Sequence, residues 1–284
     1  MKQQPRFIEF DGLGTHWECE IMDENLTDDE FSRLSDLLTD ELNRFTKLYS
    51  RFDDKSLIGK LNKQSKLINP PSEMRDMFLF AKNMFEVSEG AFNVSVGGVL
   101  NAKGYGKSDL AAEVKLDFWE NVIVSDNLIS IPKDSVVDLG GFGKGWLIDK
   151  YVEILSSNKV KQFIVNGGGD LFVQSNVPIE IALEHPIDST KMIGQTQIAV
   201  GALAASSTLK RIWRNNGNNY NHIINPFSDQ SSDNAVVGTF IKADTALMAD
   251  AMATILLIKP ELNDNLSEKF GLQTILVTAE QIKS

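Results

Sequence analysis

Between residues 27 and 49 the apolar positions Phe31, Leu34, Leu37, Leu38, Leu42 and Phe45 recur every three or four residues, which places them on one face of an α-helix. Thr27 offers an N-cap hydroxyl, and Asp28 and Asp29 offer first-turn acids, so a long amphipathic helix is predicted over 27–49. A second is predicted over 72–87, with Pro70 and Pro71 just before it and Gly90 past its end. Residues 15–22 alternate in polarity and read as a strand after the Gly12-Leu13-Gly14 turn. Beyond Gly90, short β-like runs at 121–124, 135–137, 162–165, 179–183 and 196–200 are separated by glycine-rich turns, and helices are predicted at 144–156, 245–258 and 261–270. Residues 215–219, Asn-Asn-Gly-Asn-Asn, predict a hairpin tip. No linker, repeat or low-complexity tract divides the chain. The pattern predicts one α+β domain over 1–284, with mixed or antiparallel sheet and flanking helices.

Composition narrows the function. A formal net charge of −11 argues against non-specific binding to nucleic acid or an anionic membrane. An anionic ligand would need a local cation or a helix N-terminus to overcome that field. The single cysteine, Cys19, leaves no disulfide framework and no multi-cysteine zinc site. No run of about 18 apolar residues is present to span a bilayer. As written the chain reads as cytoplasmic; a removed leader would make it periplasmic or membrane-anchored.

Four segments carry more glycine and small polar residues than packing requires. The first runs from Gly90 to Gly98 and continues to Asn101, Gly104 and Gly106; it is either a ligand-approaching loop or a loop needing positive φ. The second, Asp138-Leu-Gly-Gly-Phe-Gly-Lys-Gly145, leads from a strand into a helix. A glycine loop feeding a helix start suits an anion, with Lys144 adding charge. It fails the P-loop pattern because Gly145 follows Lys144, and its glycine spacing misses the dinucleotide fingerprint. Asp138 is then either a helix cap or a ligand contact. The third, Asn166-Gly-Gly-Gly-Asp170, is a tight turn with or without a binding role. In the fourth, Asp250 and Thr254 lie one helical turn apart among Ala246, Ala249, Ala251 and Ala253. They are either hard oxygen ligands for magnesium, or a threonine bonded to its own i−4 carbonyl beside a solvated aspartate.

The histidines are His16, His185 and His222, with no zinc-motif spacing and no serine-hydrolase elbow elsewhere. His222 lies in Tyr220-Asn-His-Ile-Ile-Asn-Pro226, read as a strand entering an Asn-Pro turn.

Taken in order, these segments resemble the FAD:protein FMN transferases, the ApbE-type flavin transferases. Leu13-Gly-Thr15 is similar to that family's early Met-Gly-Thr, and Ser50-Arg-Phe with Ser56 and Asn62 to its Ser-x-Tyr…Ser…Asn stretch. The runs from Gly90, Asp138, Asn166, Ala204, His222 and Asp250 resemble GAFDPTVG, DLGGIAKGY, NLGGD, ATSG, HIIDP and DALAT. Asn93 and Asn225 stand where the family has aspartate, and Phe52 where many members have tyrosine.

The resemblance implies magnesium held by Asp250, Thr254 and a backbone carbonyl at Gly141. It implies FAD lying across the Leu13 turn, Phe52, Ala91, Phe92, Asn93, Asp138, Lys144, His222 and Ile223. The reaction implied is attack by a Thr or Ser hydroxyl of an acceptor protein on the FMN phosphorus, with AMP released. The acceptor would be a redox-complex subunit or a flavoprotein reductase bearing a flavinylation sequence. His222 is the candidate base, chosen for an intrinsic pKa near neutrality, with Asp138 as the alternative; Lys144 would hold a phosphate or support the glycine loop. Two other readings use nearly the same residues: a magnesium-dependent FAD pyrophosphatase, and a non-catalytic FAD-binding protein.

Overall fold

The computed structural model describes residues 4–23, 26–106, 110–188 and 190–282. In chain order its elements are β1 (Arg6–Gly12), β2 (Thr15–Ile21), α1 (Asp28–Tyr49), α2 (Leu57–Gln64), β3 (Lys66–Ile68), α3 (Ser72–Val87), α4 (Gly97–Ala102), β4 (Ile123–Val124), β5 (Leu128–Ser130), α5 (Gly143–Ser157), β6 (Phe163–Gly167), β7 (Asp170–Glu184), β8 (Met192–Ser207), β9 (Trp213–Asn215), β10 (Asn218–Tyr220), β11 (Ile224–Asn225), β12 (Gln230–Ser231), β13 (Val236–Ala243), α6 (Ala246–Ile258), α7 (Asn263–Phe270) and β14 (Gln273–Thr278).

Seven strands form one sheet in the order β1-β2-β6-β7-β8-β13-β14. Every neighbouring pair in it is antiparallel. The side-chain period of two sends alternate residues to opposite faces. On one face Phe172, Ala202, Ala204 and Ile241 join the main core beneath α5 and α6. On the other, Leu171, Val173, Leu203 and Phe240 build a second apolar cluster. Helix α1 closes the main core with Leu34, Leu38, Leu42 and Phe45, all in the stripe predicted from spacing.

The start of α1 shows how the sequence sets a boundary. Thr27 Oγ1 accepts the Glu30 N–H at 3.3 Å, and Glu30 Oε2 accepts the Thr27 N–H at 2.9 Å, a reciprocal capping box. At the β1–β2 turn Leu13 (φ 51°) and Gly14 (φ 72°) are both left-handed, as a two-residue type I′ hairpin requires. The predicted 215–219 tip is the β9–β10 hairpin.

Other expectations are corrected. Residues 135–137 are not a strand: only an isolated bridge joins Val96 to Val136. Asn62 explains this, because its side-chain amide donates to Val137 O at 3.0 Å and accepts the Val137 N–H at 2.7 Å. One side chain thus supplies what a neighbouring strand would. The runs at 179–183 and 196–200 are parts of the long strands β7 and β8. Residues 118–121 form a 3₁₀ turn, leaving only Ile123–Val124 extended. His222 and Ile223 precede β11 and are not themselves strand.

Candidate active site

A cavity of about 1050 Å³ is lined from β2, β6, β7, β8 and β13, from the start of α5 and from the middle of α6, roomy even for a drug-sized ligand. All twelve residues that the sequence and its family resemblance single out line it: Leu13, Phe52, Ala91, Phe92, Asn93, Asp138, Gly141, Lys144, His222, Ile223, Asp250 and Thr254.

At its base three charged side chains meet. Lys144, the second residue of α5, extends Nζ to 2.7 Å from Asp170 Oδ2 and to 3.1 and 3.2 Å from the two oxygens of Asp250. Asp250 Oδ2 also accepts the Gly145 N–H at 3.0 Å, and Asp170 Oδ1 accepts the Ala205 N–H at 3.0 Å. Both carboxylates are buried. Burial raises the Asp250 carboxyl above the usual carboxylate range, while Lys144 pulls it back. For Lys144 burial works against the charged form, but Asp170 and Asp250 outweigh it and hold the ammonium above its ordinary range. The trio is therefore two carboxylates sharing one cation. It leaves a formal charge of −1 in a site partly closed to water.

The alternative of a solvated aspartate beside a back-bonded threonine is overturned. Asp250 is 3% exposed, and among the described residues the Thr254 hydroxyl makes no hydrogen bond to the Asp250 carbonyl. Gly141 lies close by: a methyl placed on it would sit 3.9 Å from Thr254 Cγ2 and 3.1 Å from the Phe92 ring. Asp250, Thr254 and Gly141 thus line the same cavity, beside two carboxylates whose charge one lysine only partly balances. Among the described residues no three His, Cys, Asp or Glu side chains cluster to hold a metal by themselves. The oxygen set fits a hard divalent cation that takes its remaining ligands from water or substrate phosphate.

Asp138 is committed elsewhere. Its Oδ2 pairs with Arg51 Nε, and its Oδ1 accepts the Gly140 N–H at 2.5 Å. Arg51, itself buried, also donates to Asn101 Oδ1 at 2.6 Å and to the Tyr105 carbonyl at 2.8 Å. Its guanidinium stacks 4.3 Å from the centre of the Phe52 ring, and Phe52 is 61% exposed at the cavity edge. Asn93 is similarly occupied: its amide donates to Lys115 O at 3.0 Å, and its carbonyl oxygen accepts from Ser95 N and Oγ. Ala91 and Ile223 pack into one small apolar cluster behind the wall.

His222 corrects the expectation of near-neutral titration. Burial first, then Arg211 and Lys144, push its pKa down to about 3, against a hydrogen bond to the Lys210 backbone. At neutral pH the ring is uncharged, and among the described residues Nδ1 is buried without a partner, so it can accept a hydrogen bond.

Sequence reasoning gave no role to Arg51, Asp170, Lys210 or Arg211. Arg51 and Asp170 sit inside quoted motifs, so their presence was legible although their partners were not. Lys210 and Arg211 line the cavity, but no local pattern marks them.

With this geometry in place, the comparisons with known proteins are specific. The sequence model of the ApbE family matches residues 13–275. A protein of Vibrio cholerae named FAD:protein FMN transferase is 28% identical over 193 residues, covering 62% of this chain and 57% of its own length. An Escherichia coli protein of the same name is 21% identical over 291 residues, covering 94% of this chain and 82% of the relative. Among solved structures, the ApbE protein of Thermotoga maritima superposes with a TM-score of 0.84 at 20% identity, covering 99% and 98% of the two chains. The flavin transferase ApbE of Vibrio cholerae gives 0.80 at 21% identity, covering 97% and 94%.

Proposed function

The chain belongs to the ApbE family, and from that premise we propose that it is a magnesium-dependent FAD:protein FMN transferase. The observation carrying this reading is that Asp250, Thr254 and Gly141 line one cavity with room for a dinucleotide. The names borne by its relatives support it.

The reaction is phosphoryl transfer from a pyrophosphate. An acceptor Thr or Ser oxygen forms a bond to the FMN phosphorus, the bond from that phosphorus to the bridging oxygen breaks, and AMP leaves. Magnesium, held by the Asp250 and Thr254 side chains and the Gly141 carbonyl, would neutralise pyrophosphate charge that otherwise repels the nucleophile. Lys144 balances Asp250 and Asp170 and ties the glycine loop to β7 and α6, so we assign it to support rather than to phosphate binding. The unpartnered Nδ1 of neutral His222 accepts a hydrogen bond from the acceptor's hydroxyl and so orients it; its lowered pKa makes it a positioning group rather than the base. Asp138, locked to Arg51, holds the floor of the glycine loop. The Leu13 turn, Ala91, Phe92, Ile223 and the exposed Phe52 supply apolar surface for the flavin and adenine rings, and Asn93 shapes the adjoining loop.

The test is incubation of the chain with FAD, Mg²⁺ and a flavinylatable acceptor, followed by mass spectrometry of the acceptor. A covalent FMN adduct, with AMP released only when acceptor is present, is the expected result. Equal AMP release with and without acceptor would establish an FAD pyrophosphatase instead. Intact FAD throughout would leave a binding protein.

A further inference from the structure

Helices α5 and α6 start side by side, and each presents a carboxylate to the other's free N–H groups. Asp250 of α6 accepts the Gly145 N–H in the first turn of α5 at 3.0 Å; Phe142, at the N-cap of α5, makes no side-chain cap of its own. In return Asp149 of α5 accepts both the Ala246 N–H (2.8 Å, Oδ1) and the Leu247 N–H (3.0 Å, Oδ2) in the first turn of α6. Thr245 Oγ1 takes the next, from Met248 at 3.2 Å. Backbone contact seals the joint, because Gly145 lies so close to the Ala246 carbonyl that a side chain there would collide with it. Each anion also sits at the positive end of the neighbouring helix dipole.

We propose that Asp149 is a positioning residue for the cation site: by gripping the first turn of α6 with both oxygens, it sets the placement of Asp250 and Thr254 against the Gly141 loop. Asp149 is not among the residues lining the cavity, and among the described residues its side-chain hydrogen bonds go to the Ala246 and Leu247 N–H groups. It acts on Asp250 and Thr254 only through the helix that carries them. Its two bonds anchor the first turn of α6, the turn immediately before Asp250. Freeing them lets the Asp250 carboxylate drift from the glycine loop while the rest of the helix stays packed through Met252, Ile255 and Leu256. This inference rests on the magnesium reading given above.

The experiment compares Asp149→Asn, which keeps one acceptor oxygen, Asp149→Ala and Asp250→Ala in the full chain. Three quantities are read: half-saturating Mg²⁺ for FMN transfer, Mn²⁺ affinity by electron paramagnetic resonance, and hydrogen exchange at the Ala246, Leu247 and Met248 amides. Asp149→Asn should raise the Mg²⁺ requirement and weaken Mn²⁺ binding about tenfold, the lower end of what remote support of metal ligands contributes. Half-saturating FAD should stay near wild type, excess Mg²⁺ should restore kcat, and the three amides should exchange faster. Asp149→Ala should show the same changes more strongly; if it does not fold, Asp149→Asn decides. A wild-type Mg²⁺ requirement, or a lost kcat that Mg²⁺ does not restore, overturns the proposal. Asp250→Ala reports separately: should it respond to Mg²⁺ as wild type does, the metal reading fails whatever Asp149 shows. The amide exchange reads the grip on α6 independently of turnover.

Discussion

At the scale of single residues, charge compensation decides what a substitution does. Removing the Asp250 carboxylate leaves Lys144 with its 2.7 Å partner Asp170, so no buried cation is abandoned. The loss is one oxygen acceptor for the Gly145 N–H, about 1–3 kcal/mol for a buried donor left unpaired. Asp250→Ala should therefore fold, melt at a somewhat lower temperature, and reduce FMN transfer to background. Full activity in metal-depleted buffer would show that the carboxylate has no part in holding a cation. His222→Ala should cost about 10²-fold in kcat, the loss expected when the acceptor hydroxyl is no longer held in line. A much smaller loss, measured at saturating FAD, would return the ring to a packing role. Both residues were legible as candidates in the sequence, but their states were not. The lowered pKa of His222 comes from burial and from Arg211 and Lys144, which only the fold brings near it.

At the scale of elements, the sequence was most readable where one face of a helix does the packing. The 3.6-residue stripe in α1 and its Thr27–Glu30 box mark both face and boundary, and Thr27→Ala should cost about 1 kcal/mol in a chemical denaturation curve. Helix α2 escaped notice because eight residues carry too few apolar turns to show a period; its cap, Ser56 accepting the Gly59 N–H at 2.8 Å, was visible only as part of a family motif. The missing strand at 135–137 failed for a different reason. Its residues have strand character, but Asn62 satisfies Val137 from a distant helix, and no local pattern records that. The α5–α6 joint belongs to this class too. Gly145→Ala puts a methyl into the Ala246 carbonyl oxygen, and since both contacting groups are helix backbone, neither can swing aside. A destabilisation of about 1–3 kcal/mol is expected, accompanied by weaker Mn²⁺ binding. Unchanged stability and metal affinity would mean that the two helices can separate without harm.

At the scale of the whole molecule, a net charge of −11 surrounds the cavity proposed to take an anionic dinucleotide, and the buried titratable groups tie that site to global stability. His222 has a folded pKa near 3 against an ordinary 6.5. Between those values the unfolded chain binds a proton that the folded chain refuses. Its contribution is complete above pH 6.5 and is lost as pH falls towards 3, with a slope of at most about 1.4 kcal/mol per pH unit. Asp149 runs the other way. Burial raises it to about 6, against two backbone N–H donors, from an ordinary 3.8. It therefore favours the folded state below pH 3.8, and that advantage disappears as pH rises through 6. Asp250, also raised by burial, acts in the same direction as Asp149, so the two carboxyls oppose His222 between about pH 4 and 6 and the wild-type profile reports none of the three alone. Separating them requires removing one. Urea unfolding of His222→Gln at pH 7, 6, 5 and 4 should show a smaller loss of stability on acidification than wild type, because the variant has no imidazole to protonate on unfolding. Parallel profiles for the two proteins would show that His222 titrates normally in the folded chain. Its ring would then exchange protons with solvent, and its suitability as a neutral acceptor at the head of the cavity would be lost with the burial that produces it.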